Sequence, residues 1–145
     1  MIPAMHRIFR LVAIMIIPLL TAYSQDPPPM PQIILRIGQS RYHVQLADTA
    51  AARELVQQLP ITLAMTDLNA NEKYGDLPQP LPTASRSIGH IHTGDLMLFT
   101  PTCLVLFYKD FRTSYHYTPV GRVLQADSLP ATLGRGDVSI TLEAP

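Results

Sequence analysis

The stretch Leu104–Phe111, LVLFYKDF, is the strongest single indication of the fold. Its first four residues are all apolar, and a tyrosine, a lysine–aspartate pair and a phenylalanine follow. A short strand that is apolar on both alternating faces must be covered on both sides. The pattern therefore predicts a central strand that ends abruptly and carries aromatic and charged side chains to the mouth of the fold.

The composition indicates one domain built from many short elements. The chain has 145 residues, 47% of them hydrophobic, with 14 prolines and 7 glycines. So many prolines and glycines favour short segments joined by turns. The formal net charge is zero and the basic residues are scattered, so we expect no nucleic-acid partner. The single cysteine, Cys103, excludes an intramolecular disulfide, and its apolar neighbours predict a buried structural thiol.

Residues 1–24 have the pattern of a secretory signal peptide. Arg7 and Arg10 precede the apolar run 11–20, and small residues follow it. The run is short for a membrane span. We therefore expect an exported protein, periplasmic or extracellular, that has no membrane attachment after cleavage. The alternative is a protein anchored to the membrane by an uncleaved N-terminal segment.

Residues 25–32 are predicted to be a proline-rich spacer, because four of the six residues from Asp26 to Pro31 are proline. The folded domain then covers residues 33–145. Alternating apolar residues predict its strands, and they lie at residues 33–37, 42–46, 61–66, 96–99, 103–107, 120–124 and 138–142.

One helix is predicted over residues 50–58. Asp48 or Thr49 can cap its start, and Pro60 stops it. Residues 67–75 are rich in Asp, Asn and Gly and are predicted to form a shaped turn rather than a strand. Short strands with one helix are typical of a small, closed β-barrel of about eight strands with the helix over one opening, an arrangement that leaves no unpaired sheet edge.

Several short motifs follow one another in a defined order along the chain. The helix leads into Ile61–Asp67, ITLAMTD, and Asn69–Lys73, NANEK, follows. Gly94-Asp95-Leu96 and Phe107–Phe111, FYKDF, come later. From about residue 33 to residue 142 the chain resembles the small bacterial and archaeal cyclophilin-like family. The resemblance implies a closed, eight-stranded cyclophilin-type barrel.

The resemblance does not imply isomerase activity. The peptidyl-prolyl isomerases of the wider superfamily use an F-H-R segment and an F-M-x-Q segment, and neither pattern occurs in this chain. Family members usually have Tyr and Gly in the turn where this chain has Leu68 and Ala70. A residue other than glycine at a position that needs φ > 0 is strained.

Candidate site residues cluster at the end of the central strand. Aromatic side chains beside a charged pair at a barrel mouth suit a peptide or a small apolar ligand. A ligand groove is therefore predicted from Phe99, Phe107, Tyr108, Lys109, Phe111 and Arg112. We predict a structural ion pair between Lys109 and Glu72, and we predict that Asp110 ties two elements together. The alternative is that the charged pair Lys109 and Asp110 faces the ligand.

No cofactor or metal is expected. His90 and His92 would face one side of an extended segment, but two histidines in a polar loop are usually solvated. The function that we predict is an exported binding module for a proline-containing peptide or a small apolar ligand, without efficient catalysis. The alternative is a peptidyl-prolyl isomerase acting on exported proteins, in which Lys109 or Arg112 would donate a hydrogen bond to the twisting amide.

Overall fold

The computed structural model describes residues 14–19, 21 and 25–145, so most of the predicted signal segment lies outside the described residues. Within the described part of the chain, no helix has the length and apolar character needed to cross a membrane. The strands are β1 (Gln32–Ile37), β2 (Ser40–Leu46), β3 (Ile61–Leu68), β4 (Glu72–Asp76), β5 (Arg86–Ser87), β6 (His90–Ile91), β7 (Asp95–Leu98), β8 (Cys103–Phe107), β9 (Phe111–Arg112), β10 (His116–Val123) and β11 (Val138–Glu143), and the helices are α1 (Ala50–Gln58) and α2 (Leu129–Leu133).

Eight of the described strands close into an antiparallel barrel. Their order is β2-β1-β11-β3-β4-β8-β7-β10, and β10 pairs back with β2. The short β5 extends the pairing of β10, while β6 and β9 form a separate two-stranded ribbon. The predicted closed barrel is confirmed, and its eight main strands have no free edge along the closed ring.

The inward-facing residues of the barrel strands form the main core. Alternation along each strand places every second side chain inside, and the described core includes Leu35, Val44, Leu63, Leu104, Leu106 and Ile140, all fully or almost fully buried. The hairpin of β1 and β2 turns at Gly38, whose φ of 56° is easily adopted by glycine.

Helix α1 covers the end of the barrel at which β2 finishes and β3 begins. The hydroxyl of Thr49 accepts a hydrogen bond from the backbone N–H of Ala52 at 3.2 Å and donates one to the carbonyl of Pro119 at 2.8 Å. The buried side chains of Ala51, Ala52 and Leu55 join the core. The predicted helix therefore has its predicted bounds, and Thr49 is its N-cap.

Helix α2 lies at the opposite end, because it connects the end of β10 to the start of β11. Leu129 and Leu133 are buried in the main core. The hydroxyl of Tyr42 hydrogen-bonds those of Ser128 at 2.8 Å and Thr132 at 2.7 Å, which ties the helix to β2.

The end of the predicted spacer lies against the barrel. The side-chain amide of Gln45 donates to the carbonyl of Met30 at 2.9 Å, and the Leu46 N–H donates to the carbonyl of Pro31 at 3.3 Å. Met30 also packs on the core. The last residues of the proline-rich segment therefore belong structurally to the domain.

The prediction of a shaped turn over residues 67–75 is wrong for most of its length. Strand β3 continues to Leu68, and β4 begins at Glu72. The turn itself is tight, with Asn69 at φ 55° and Ala70 at φ 52°, and the Asn71 N–H bonds the Leu68 carbonyl at 3.2 Å. Two positive φ values are typical of the hairpin turns that match strand twist. Ala70 therefore has the positive φ that is strained for a residue other than glycine.

The segment 112–118, whose polar and aromatic composition is typical of a loop, contains the start of a strand. β10 starts at His116, because its early residues pair with β5 and β7. Pro119 is accommodated by an irregularity in the register between Pro119 and Gly121. At Gly121 the strand approaches β2 so closely that a Cβ atom would lie 2.7 Å from the carbonyl oxygen of Gln45. The closing seam of the barrel therefore requires glycine there.

A buried lysine organises the end of the barrel below α2. The Lys73 side chain has no solvent exposure, and its Nζ atom donates to the carbonyls of Gly134 at 2.8 Å and Gly136 at 2.6 Å. It also lies 3.0 Å from Oδ1 of Asp67 and 5.2 Å from the ring centroid of Tyr108. A buried ammonium is tolerated when its donors are satisfied in this way.

The hydrogen bond between Tyr108 and Asp67 completes this cluster. The Tyr108 hydroxyl donates to Asp67. That hydrogen bond, followed by the one from Lys73, holds the pKa of Asp67 below its ordinary value. Burial and the hydrogen bond to the carboxylate raise the pKa of Tyr108 to about 12. One lysine thus connects β3, β4, the end of β8 and the segment between α2 and β11.

Replacing Lys73 by methionine should reduce the free energy of unfolding by about 3 kcal/mol, because two buried carbonyls and a carboxylate lose their donor. The matched control is Lys109→Met, which alters an exposed lysine and should change stability by less than about 0.5 kcal/mol. Urea unfolding of both variants measures the difference. Equal effects of the two substitutions would contradict the structural role of Lys73.

Candidate functional site: an aromatic cavity on the outer wall

A second apolar cluster lies on the outside of the barrel. β8 sends Leu104 and Leu106 inward and Val105 and Phe107 outward. The outer cluster consists of Ile91, Met97, Val105, Phe107 and Tyr117, with Ile88, Cys103 and Phe111 packed against it. The prediction that β8 is covered on both faces is confirmed, and the outer cover is formed largely by the short β6 and β9 segments.

A cavity of about 360 Å³ opens beside this cluster. It lies on the outer wall, where outward-facing residues of β3, β4 and β8 meet residues from β10 and the adjoining loops. Its lining residues are Leu68, Glu72, Tyr74, Phe99, Cys103, Val105, Tyr115 and Tyr117. The volume falls within the range of small-molecule sites.

The strand register explains why these side chains share one surface. In the pairing of β4 with β8, Glu72 lies opposite Phe107, and Tyr74 lies opposite Val105. In the pairing of β3 with β4, Leu68 lies opposite Glu72. Directly paired residues project to the same face of a sheet. The outward-facing residues of β3, β4 and β8 therefore form the floor of the cavity.

Three aromatic rings form one side of the cavity. The rings of Phe99 and Tyr115 are 6.1 Å apart between centroids and nearly perpendicular, at 82°. The ring of Phe99 lies 5.8 Å from that of Tyr117, and Tyr117 meets Phe107 edge-to-face at 5.4 Å. Such edge-to-face pairs stabilise one another beyond their buried area. The aromatic wall is thus anchored to the outer cluster through Phe107 and Tyr117.

Glu72 is the charged residue among the lining side chains, and it is half-buried. Burial raises its pKa above the ordinary value, and the nearby carboxylate of Asp67 raises it further. The pKa of Tyr117 is also raised, first by burial and then by Glu72. The cavity therefore combines a mainly apolar lining with one acidic side chain.

Cys103 lies at the edge of the same surface and is half-buried rather than fully buried, because it starts β8 beside the cavity. Burial, followed by the negative charges of Asp76 and Glu72, raises the pKa of its thiol. A thiol with a raised pKa is a poor nucleophile near neutral pH. Cys103 therefore contributes a small apolar contact to the cavity.

A separate cleft contains the two histidines. The rings of His90 and His92 stack at 4.6 Å, and Nδ1 of His92 lies 3.8 Å from a carboxylate oxygen of Asp95. Asp95 accepts a hydrogen bond at 2.8 Å from Nε of Arg122. Among the residues that the structure describes, no group of three potential ligands could hold a metal ion.

Comparison with known proteins fits this architecture. A family model described as "Cyclophilin-like family" matches residues 35–143, which is most of the chain. The chain belongs to the cyclophilin-like family. The solution structure of a hypothetical protein from Archaeoglobus fulgidus is similar, with a TM-score of 0.55 and 16% identity over 81% of this chain and 96% of the other. At that identity the likeness shows the fold alone. No curated protein matches the sequence.

The cyclophilin-like barrel does not place the predicted groove residues together. Phe99 alone among them lines the cavity. Phe107 is buried beneath it, and Phe111 packs on Phe107 at 5.6 Å. Tyr108 points into the barrel end, and Lys109 and Arg112 are exposed. The cavity therefore lies on the outer wall of the barrel, whereas the groove predicted from the sequence lies at the mouth, where the side chains of Lys73 and Tyr108 are buried.

The predicted ion pair between Lys109 and Glu72 is not among the ion pairs of the described residues. β8 ends at Phe107, opposite Glu72, so Lys109 lies beyond the end of the paired strands. Asp110 does tie two elements together, but through hydrogen bonds. It accepts from the N–H and hydroxyl of Thr93 at 2.7 and 3.1 Å, and these bonds lower its pKa.

Sequence reasoning missed Leu68, Tyr74, Tyr115 and Tyr117. The signal was the alternation within Glu72–Asp76, in which Glu72 and Tyr74 flank Lys73 on the opposite face. This alternation is hidden by the turn-forming residues before it. Tyr115 and Tyr117 show the same spacing of two residues, in a segment that reads as a loop because of its polar composition and Pro119.

Glu72→Gln should stabilise the protein at neutral pH, because a half-buried carboxylate opposes folding. Because the pKa of Glu72 is raised in the folded state, protonated Glu72 contributes fully to the free energy of unfolding below the ordinary glutamate pKa of 4.5. That contribution is lost as the pH rises through the raised pKa. The stability gain of the variant should therefore grow with pH. Urea unfolding across this pH range measures it.

The control is Glu54→Gln, which changes an exposed glutamate on α1. Its effect on the free energy of unfolding should stay within about 0.5 kcal/mol at every pH. A Glu72→Gln variant that is less stable than the native protein at neutral pH would show that the carboxylate is well solvated or paired.

Proposed function

We propose that this protein is an exported cyclophilin-like domain that binds a peptide segment or small molecule in the outer-wall cavity, without efficient catalysis. The family membership supports the scaffold. The binding role rests on the cavity, and the export rests on the N-terminal sequence.

One observation carries the binding role. Large apolar side chains that remain exposed in the described domain, residues 25–145, cluster at the cavity. Four of the five line it, and the fifth is Leu124; the exposed fractions are Leu68 43%, Tyr74 37%, Phe99 51%, Tyr115 63% and Leu124 38%. Single exposed apolar residues are normal, whereas a contiguous group marks an interaction site.

The aromatic wall also lowers the conformational entropy that the protein would lose on binding a ligand. Aromatic side chains have few rotatable bonds, so they offer a large contact area at low conformational cost. Tyr117 is buried and Phe99 and Tyr115 pack against one another, so the wall is largely preformed. The cavity is therefore suited to a flat or apolar group such as a proline or an aromatic ring.

Binding can be tested by NMR titration with two probes, indole and a blocked Ala-Ala-Pro-Phe peptide. We expect saturable shifts of the signals of Val105 and Tyr117 with at least one probe. Phe99→Ala should weaken the affinity about tenfold, since it removes one aromatic contact. The control Leu124→Ala removes an exposed apolar side chain away from the cavity and should leave affinity within about twofold. The absence of saturable binding by both probes would refute the binding role.

The isomerase alternative requires a donor that stabilises the twisted amide. Lys109 and Arg112, the predicted donors, do not line the cavity, and Glu72 offers an acceptor there at neutral pH. In the same titrations, exchange spectroscopy on the proline peptide should show the uncatalysed isomerisation rate. A rate above that background that disappears in Arg112→Ala or Lys109→Ala would establish the isomerase instead.

Export is testable in the full chain. Expression with an intact N-terminus in a bacterium should give a product outside the cytoplasm whose mass corresponds to cleavage after Ser24. Arg7→Glu combined with Arg10→Glu should retain the precursor, because the basic end of a signal orients it during insertion. An uncleaved, membrane-associated product would support the anchored alternative, and a cytoplasmic product would refute export.

A further inference from the structure

The charged residues around the cavity favour a positively charged ligand. None of the residues lining the cavity is a lysine, arginine or histidine, and Glu72 is its charged member. Glu72 also takes part in none of the ion pairs of the described residues. Its charged neighbour is the carboxylate of Asp67, which repels it. A half-buried carboxylate without a cationic partner is costly.

The aromatic lining supplies a second preference for positive charge. Four of the eight lining residues are aromatic: Tyr74, Phe99, Tyr115 and Tyr117. The face of an aromatic ring carries negative charge density and attracts cations within about 6 Å of its centroid. Because Phe99 and Tyr115 are nearly perpendicular, their planes form adjacent sides of a partial box rather than a flat platform.

These two features together distinguish among cations. Mg²⁺ and Ca²⁺ require several oxygen ligands, and the cavity offers one carboxylate among apolar groups. A primary ammonium is strongly hydrated and has three N–H donors to satisfy. A methylated ammonium is weakly hydrated and has few or no donors, so it fits an apolar box that has one carboxylate at its floor.

We infer that the cavity binds an organic cation, specifically a methylated ammonium group, with the aromatic rings around the methyl groups and Glu72 as the counter-charge. The inference rests on the proposed binding function and names the chemical class of its ligand. The volume of about 360 Å³ leaves room for an attached apolar or polar body beyond the ammonium head.

Choline and its uncharged isostere 3,3-dimethylbutan-1-ol test this inference, because they differ in the charged nitrogen and hardly in shape. By NMR titration of the full chain, choline should bind at least tenfold more tightly than the alcohol, because choline alone carries the positive charge that the rings and the Glu72 carboxylate attract. Glu72→Gln should remove most of that preference. Glu54→Gln, an exposed control, should retain it.

A pH series adds a second readout. The affinity for choline should fall as the pH drops through the raised pKa of Glu72, whereas the affinity for the alcohol should not. The other titratable groups in or beside this site are Asp67 from β3, Lys73, Tyr74 and Asp76 from β4, Cys103 from β8, Tyr115 from the loop before β10, and Tyr117 from β10. The native protein and Glu72→Gln contain them all, so their difference isolates Glu72.

The outcomes separate this inference from the proposed function. Equal or tighter binding of the alcohol would overturn the cationic ligand and leave the apolar binding site intact. Saturable binding of indole or the proline peptide without binding of choline would do the same. Absence of binding by all four probes would overturn both. A choline preference that survives Glu72→Gln but is lost in Tyr115→Leu would assign recognition to the rings and overturn the role of the carboxylate.

Discussion

The structure depends on the burial of the Lys73 ammonium group. An isolated charge in a barrel interior would be prohibitively unfavourable, so the protein must supply acceptors from several elements at once. It does so with Asp67 from β3 and the carbonyls of Gly134 and Gly136, with the ring of Tyr108 alongside. Those contacts close the end of the barrel beneath α2, where apolar side chains alone would leave the carbonyls of the 134–136 segment without a donor.

The inward position of Lys73 also determines which residues of β4 face the cavity on the outside of the barrel. Because side chains alternate along a strand, an inward Lys73 requires an outward Glu72 and Tyr74. A shift of β4 by one residue would bury Glu72 in the barrel and expose the lysine. The interior contacts thus specify the register, and the register specifies the cavity. The strand geometry places Glu72 in the cavity although, among the described residues, its carboxylate takes part in no ion pair.

The sequence was sufficient for the barrel, because alternation along β1, β2, β3 and β11 is strong, β8 is apolar on both faces, and α1 has a clear cap and stop. It was insufficient for the cavity. The floor depends on the pairing of Glu72 with Phe107 and of Tyr74 with Val105 across strands that are distant in sequence. Turn-forming residues obscured β4, and Pro119 obscured β10. Lys109 was predicted as a partner for Glu72, whereas the buried ion pair of this region joins Lys73 to Asp67.

The turn at Asn69 and Ala70 shows how the rim of the cavity is held. Glycine would adopt the positive φ at position 70 without strain, but it would also allow many other conformations. Alanine at this φ is strained, and the turn holds it there with the hydrogen bond from the Asn71 N–H to the Leu68 carbonyl. Leu68 and Glu72 lie on either side of this turn. The spacing between an apolar contact and an acidic one at the rim is therefore set by a tight turn that has two residues in the left-handed region.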